Sequence, residues 1–159
     1  MNQEPRTDAR AQFKALDRTL PFQDPDTVDP AILECFPYEY ADTPHGAAME
    51  VVIETEEFTS VCPFSGLPDF ASLSIRYVPD RSCIELRSLK YYLLTYRSVG
   101  IWYEHLVNKL LEDLARCARP RRMSVTLHCK PRGGLVSTLT AAYDRETMGP
   151  PEALGGAPR

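Results

Sequence analysis

Two stretches of alternating polarity constrain this chain more than anything else in it. Ala71, Leu73, Ile75 and Tyr77 alternate with Ser72, Ser74 and Arg76, and Met123, Val125, Leu127 and Cys129 alternate with Ser124, Thr126, His128 and Lys130. Successive side chains on a strand point to opposite faces, so each stretch reads as a strand with one buried and one wet face. Between them the period changes. Leu89, Tyr92, Leu93 and Tyr96 fall on one helical face from Ser88 until Gly100, and Tyr103, Leu106, Val107, Leu110, Leu111 and Leu114 make a second apolar stripe that Pro120 closes. Met49 to Thr55 reads as a further, β-branched strand. Val78-Pro79-Asp80-Arg81 reads as a turn that brings Cys83 to Leu86 back as a hairpin partner, and residues 135–143, after the Arg132-Gly133-Gly134 turn, as the last strand. The expected order is β-β-α-α-β-β, an α+β domain with a four-stranded antiparallel sheet and two helices on one face. A sheet this short leaves edges that other copies can join.

The flanks differ in character. Residues 1–47 are polar and then rich in Pro and Asp, a lead-in that hugs the surface; residues 48–146 form the domain; residues 147–159, ending GPPEALGGAPR, have nothing to bury and read as a disordered tail. A chain of 159 residues with 43% hydrophobic content suits one domain with a real core. The net charge of −4 excludes a basic nucleic-acid binder. Five cysteines without a CxxC pair, and three histidines at no metal-ligand spacing, point to a reducing cytoplasm and to no metal. No apolar run approaches the ~18 residues of a membrane span, so no membrane partner is expected.

Chemistry concentrates in EFTSVCPFSGLPDF, Glu57 to Phe70. Pro63 pushes Cys62 towards extended backbone, which places this cysteine at a strand end facing a loop. Two readings are open. Cys62 is either a buried, inert thiol beside a turn that Asp69 braces, or a nucleophile whose proton handler is Asp69. Glu104 in the first turn of the second helix is likewise either a dipole-stabilising acid or a ligand for adjacent N–H donors. Glu85 reads as a surface residue on a hairpin, and Arg87, Lys90 and Arg132 as solvated charges. No GxGxxG follows a strand, so no Rossmann-type dinucleotide site is expected. Cys35, Cys83, Cys117 and Cys129 read as packing thiols.

Four blocks in order decide between these readings: EFTSVCPFSGLPDF, then IELRSLKYY from Ile84, WYEHLVNKLLEDL from Trp102, and KPRGG from Lys130. Together they resemble the short, single-module NADPH-dependent 7-cyano-7-deazaguanine reductases, the nitrile reductases of queuosine biosynthesis in tRNA modification. The resemblance implies the tunnelling fold shared with GTP cyclohydrolase I, with subunit sheets joined into a barrel-like ring and active sites between subunits of a homo-oligomer. It implies reduction of the nitrile to the primary amine 7-aminomethyl-7-deazaguanine with two NADPH. Cys62 matches the family's nucleophile, which forms a thioimidate, and Asp69 its proton donor. Ile84, Glu85, Leu86, Tyr103 and Glu104 match positions that meet the substrate, with Tyr103 standing where the family often has histidine. Arg87, in place of a more usual lysine, Lys90 and Arg132 match cofactor-phosphate contacts. The alternatives are a same-fold enzyme that adds an amine to the nitrile, forming an amidine, and a non-catalytic oligomeric binder of a purine- or pterin-like ligand.

Overall fold

The computed structural model describes residues 19–152. Residues 1–18 of the expected lead-in and 153–159 of the expected tail lie outside the described residues. The main sheet is four-stranded and antiparallel, in the order β2 (Val51–Val61), β3 (Pro68–Val78), β5 (Arg122–Cys129), β6 (Thr138–Asp144). Helices α1 (Leu86–Thr95) and α2 (Tyr103–Ala118) cover one face. The alternating positions deliver this arrangement: Ala71, Leu73, Ile75 and Tyr77 stand beside Cys129, Leu127, Val125 and Met123, all buried under the helices. The opposite face carries Ser72, Ser74, Thr126 and His128. β2 departs from simple pairing, because its register against β3 slips between Thr55 and Phe58.

A buried polar cluster locks the helices together. The Tyr92 hydroxyl donates to Asp113 Oδ2 at 2.6 Å and lies 2.8 Å from the Tyr96 hydroxyl, while Lys109 Nζ reaches the same Asp113 oxygen at 3.2 Å. Pro120 stops α2 as expected, after Arg119 has taken the left-handed conformation at φ 47° that ends many helices.

The hairpin expected between Ala71–Tyr77 and Cys83–Leu86 does not form. Both sides of β3 are already taken, by β2 and β5, so β4 (Ser82–Ile84) pairs instead with β1 (Cys35–Pro37) in a separate two-stranded sheet. Leu86 belongs to the helix rather than to a strand. Glu85 is its N-cap, and its carboxylate accepts from the Arg87 and Ser88 backbone N–H groups at 2.9 and 2.7 Å. The lead-in is thereby tied to the domain: Glu85 N donates to Glu34 O, and Glu34 N donates to Ser88 Oγ, both at 2.9 Å. Further upstream, Leu20 N donates to Ser65 O and Gly100 N to Gln23 O, so residues 20–23 cross the Cys62 loop and the linker between the helices. Gly66, at φ 73°, makes that crossing possible, since a Cβ there would meet the Leu20 carbonyl oxygen. After β6 the chain adds α3 (Arg145–Met148), and Tyr143 donates its hydroxyl proton to Gly149 O at 2.7 Å.

Candidate active site

Four chain segments converge at one end of the buried sheet face. Cys62 follows the last residue of β2, Asp69 opens β3, Arg132 lies in the turn after β5, and Tyr103 begins α2. The inter-helix linker seats α2 there: Val61 N donates to Val99 O at 3.0 Å and Ile101 N to Val61 O at 3.2 Å, a short parallel bridge onto β2. The Cys62 loop closes on itself, with Cys62 N donating to Leu67 O and Gly66 N to Cys62 O. Gly133 and Gly134, at φ 56° and 84°, make the tight turn between Arg132 and Leu135 that aims the Arg132 side chain inward.

Cys62 is only 5% exposed, and burial pushes its thiol pKa up. Hydrogen bonds from the Ser65 hydroxyl, from Arg132, and from the Ser65 and Phe64 backbone outweigh that burial and bring the pKa down to about 7. Half of the thiol is then thiolate near neutral pH. Asp69, 4% exposed, moves the other way: burial raises its carboxyl above the ordinary carboxylate range, against the Arg132 charge and the Tyr103 hydroxyl, which lower it. The Arg132 Nη1 group approaches both Asp69 oxygens, at 2.9 Å from Oδ1 and 3.1 Å from Oδ2, but it is aligned to donate only to Oδ2. The Tyr103 hydroxyl lies beside Asp69 and the Cys129 thiol without an aligned partner, and burial raises its pKa well above the usual phenol value. Burial also raises Cys129, to about 11, which leaves that thiol protonated. Ser60, the register partner of Asp69, has a buried hydroxyl without a partner. Ser60 Oγ and Tyr103 Oη, both buried, have no aligned hydrogen-bond partner among the described residues, and Asp69 Oδ1 has only the misaligned Arg132 Nη1.

The structure gathers Cys62, Asp69, Tyr103 and Arg132. Glu104 joins them as an exposed carboxylate near enough to oppose ionisation of Cys129. Ile84, Glu85, Leu86, Arg87 and Lys90 stand elsewhere. Ile84 N donates to the Tyr77 hydroxyl at 3.1 Å, at the far end of β3. Tyr77 is eight positions from Asp69 along that strand, on the order of 25 Å. The expected site residues therefore do not all converge: Ile84 sits at the Tyr77 end of the sheet, away from Asp69. Lys90 and Arg97 flank an apolar groove of about 320 Å³ between α1 and β2, lined by Phe58, Leu73, Leu86 and Leu93 among others. Sequence reasoning missed Ser60, Ser65 and Arg97. Asp69 had a signal, since it extends the odd-numbered core positions of β3 with a charge.

A buried, acidified cysteine and a buried carboxyl, at the end of an antiparallel sheet under two helices, define a tunnelling-fold protein with a thiol-centred site. The chain belongs to the QueF-like family, whose model matches residues 68–148. It is 46% identical over 114 residues to the NADPH-dependent 7-cyano-7-deazaguanine reductase of Chlorobaculum tepidum, covering 72% of this chain and 94% of that one. It is 48% identical over 112 residues to the enzyme of the same name from Chlorobium phaeovibrioides, covering 70% and 93%. Among solved structures it resembles the archaeosine synthase QueF-Like in its apo form, with a TM-score of 0.55 and 27% identity, over 58% of this chain and 91% of that chain.

Proposed function

We propose that this protein is a cytoplasmic, NADPH-dependent reductase that converts the nitrile of 7-cyano-7-deazaguanine to the primary amine. The observation that carries the reading is Cys62, acidified by Ser65 and Arg132 beside Asp69, in a chain whose curated relatives bear that enzyme's name. The Cys62 thiolate adds to the nitrile carbon, one C≡N π pair moves to nitrogen, and Asp69, whose pKa burial raises, is the acid that protonates that nitrogen. A thioimidate results. The low pKa that makes Cys62 a nucleophile also makes it a leaving group when the carbon–sulfur bond must break. The buried orphan atoms of Ser60, Asp69 and Tyr103, with the Glu104 carboxylate, provide polar partners for a heterocycle bearing donors and acceptors.

NADPH, when bound, supplies two hydrides per nitrile. The residues present suit its phosphates: Arg87 and Lys90 are exposed, one turn apart on α1, and in no ion pair among the described residues. Arg132 is already engaged by Cys62 and Asp69, so its role is to position those two groups. Ile84, Glu85 and Leu86 meet the substrate only when a second copy brings its far sheet end to the first copy's Cys62. A homo-oligomer with sites between subunits follows, and the exposed Phe64, Phe70, Trp102 and Leu135 around the thiol end are the surface such a neighbour would cover.

The test is NADPH oxidation with the nitrile present and absent, together with intact-protein mass spectrometry. Two NADPH oxidised per nitrile, and a covalent adduct lost in Cys62→Ala, are expected. An adduct that persists in Cys62→Ala would move the nucleophile elsewhere, and nitrile consumption without NADPH oxidation would favour the amidine-forming alternative.

A further inference from the structure

Outside this site, two half-buried thiols from distant parts of the chain face each other. Cys35 lies on β1 in the lead-in, and Cys117 lies in the last turn of α2, 82 residues on; their sulfur atoms are 2.9 Å apart. That is closer than two unbonded thiols ordinarily stand, and a disulfide needs only the remaining ~0.9 Å. Cys83, on the neighbouring strand, is buried and hydrogen-bonded towards Tyr77, which leaves it out of the pair. The other two cysteines, Cys62 and Cys129, belong to the active site.

We infer that Cys35 and Cys117 form a reversible dithiol–disulfide pair, a redox staple that fastens the lead-in to the end of α2. The pair is accessible to a small oxidant because both residues are partly exposed. Either thiol can donate across the 2.9 Å contact; with Cys35 as the donor, the Cys117 thiolate is favoured and the Cys35 pKa is raised, so Cys117 is taken as the attacking sulfur. With glutathione disulfide as oxidant, Cys117 attacks one glutathione sulfur and expels a glutathione thiolate. Cys35 then gives up its proton, attacks Cys117 Sγ in the mixed disulfide and expels the second. The two protein thiols lose two electrons and two protons, and one glutathione disulfide becomes two glutathiones. β1 is bonded through Glu34 to Glu85 and Ser88 at the start of α1, so the staple fixes the lead-in against both helices. Closing a loop of this length raises Tm by on the order of 10 °C.

The experiment treats the full-length reduced protein with glutathione disulfide, blocks remaining thiols with N-ethylmaleimide, and digests with trypsin and Glu-C. Cys35 is then isolated in Cys35–Glu39 and Cys117 in Cys117–Arg121, since the Arg119–Pro120 bond resists trypsin. The expected product is these two peptides joined, two hydrogens lighter than their sum, with the Tm rise reversed by dithiothreitol. Cys117→Ser should lose both the link and the rise yet keep the NADPH-oxidation rate of the reduced protein. Separate N-ethylmaleimide adducts on Cys35 and Cys117 after oxidation, or a Cys35–Cys83 link, would overturn the inference. Neither peptide mapping nor Tm needs nitrile or NADPH, so the staple and the proposed reaction fail independently.

Discussion

Arg132 tunes the thiol, and its removal has a calculable consequence. Cys62 stands about two pKa steps below the ordinary thiol value of 9.0 despite its burial, a difference of ~2.7 kcal/mol in favour of the thiolate. Ser65 contributes the larger share and Arg132 the next. Loss of an adjacent cation raises an acid's pKa by at least ~1 unit. In Arg132→Met the thiolate fraction at pH 7 should therefore fall from about one half to about one tenth, roughly five-fold. The assay is the rate of iodoacetamide labelling of Cys62 against pH, followed on the digested peptide. Wild type should show a midpoint near 7, Arg132→Met a higher one, and Ser65→Ala a shift at least as large as that of Arg132→Met. A midpoint unmoved in Arg132→Met would refute the assignment and return this arginine to the solvated surface.

The Asp69 carboxyl is raised by burial, so its contribution to stability is full below the ordinary carboxylate range and is lost as pH rises through its folded value. Asp69→Asn should abolish turnover while leaving Tm at pH 7 as high as wild type or higher, with the gap closing in acid; a clear fall in Tm at pH 7 would contradict this. Tyr92→Phe leaves Asp113 with only Lys109 and the buried Tyr96 hydroxyl without its partner, and should cost ~1–3 kcal/mol in urea unfolding; a loss under ~0.5 kcal/mol would show the cluster to be idle. Gly66→Ala combines a left-handed φ with a Cβ that would clash with the Leu20 carbonyl oxygen, so a loss of about 2 kcal/mol or more is expected, and an unchanged midpoint would mean that the lead-in yields freely.

The sheet and both helices were legible because their burial is periodic and local: Leu73, Ile75, Val125 and Leu127 lie where alternation put them. The hairpin to Cys83 was misread for want of a non-local fact, that β5 occupies the side of β3 which β4 would need. Glu85 was misplaced because glutamate is a poor advertisement for an N-cap, and its role became plain only through the donors it receives. Cys62 and Asp69 stood out through a motif, but the group that the structure places beside both is Arg132, 63 residues beyond Asp69, whose reach no spacing rule encodes. Cys35 and Cys117 looked like ordinary packing thiols for the same reason.

The register slip in β2 acts on parity. Before it, Val51, Ile53 and Thr55 are the more buried positions; after it, the even-numbered Phe58 and Ser60 are buried, and Cys62 follows in step with them. One supernumerary residue thus lets Val51, Ile53 and Thr55 share the covered side of the sheet with Phe58, Ser60 and Cys62. A chain lacking Glu56 would keep its length almost intact and the thiol beside Asp69, because Ser60 pairs directly with Asp69, yet Val51, Ile53 and Thr55 would turn to the hydroxyl-lined face of Ser72 and Thr126. The burial of the first half of β2 hangs on a count of residues rather than on any side chain at that count.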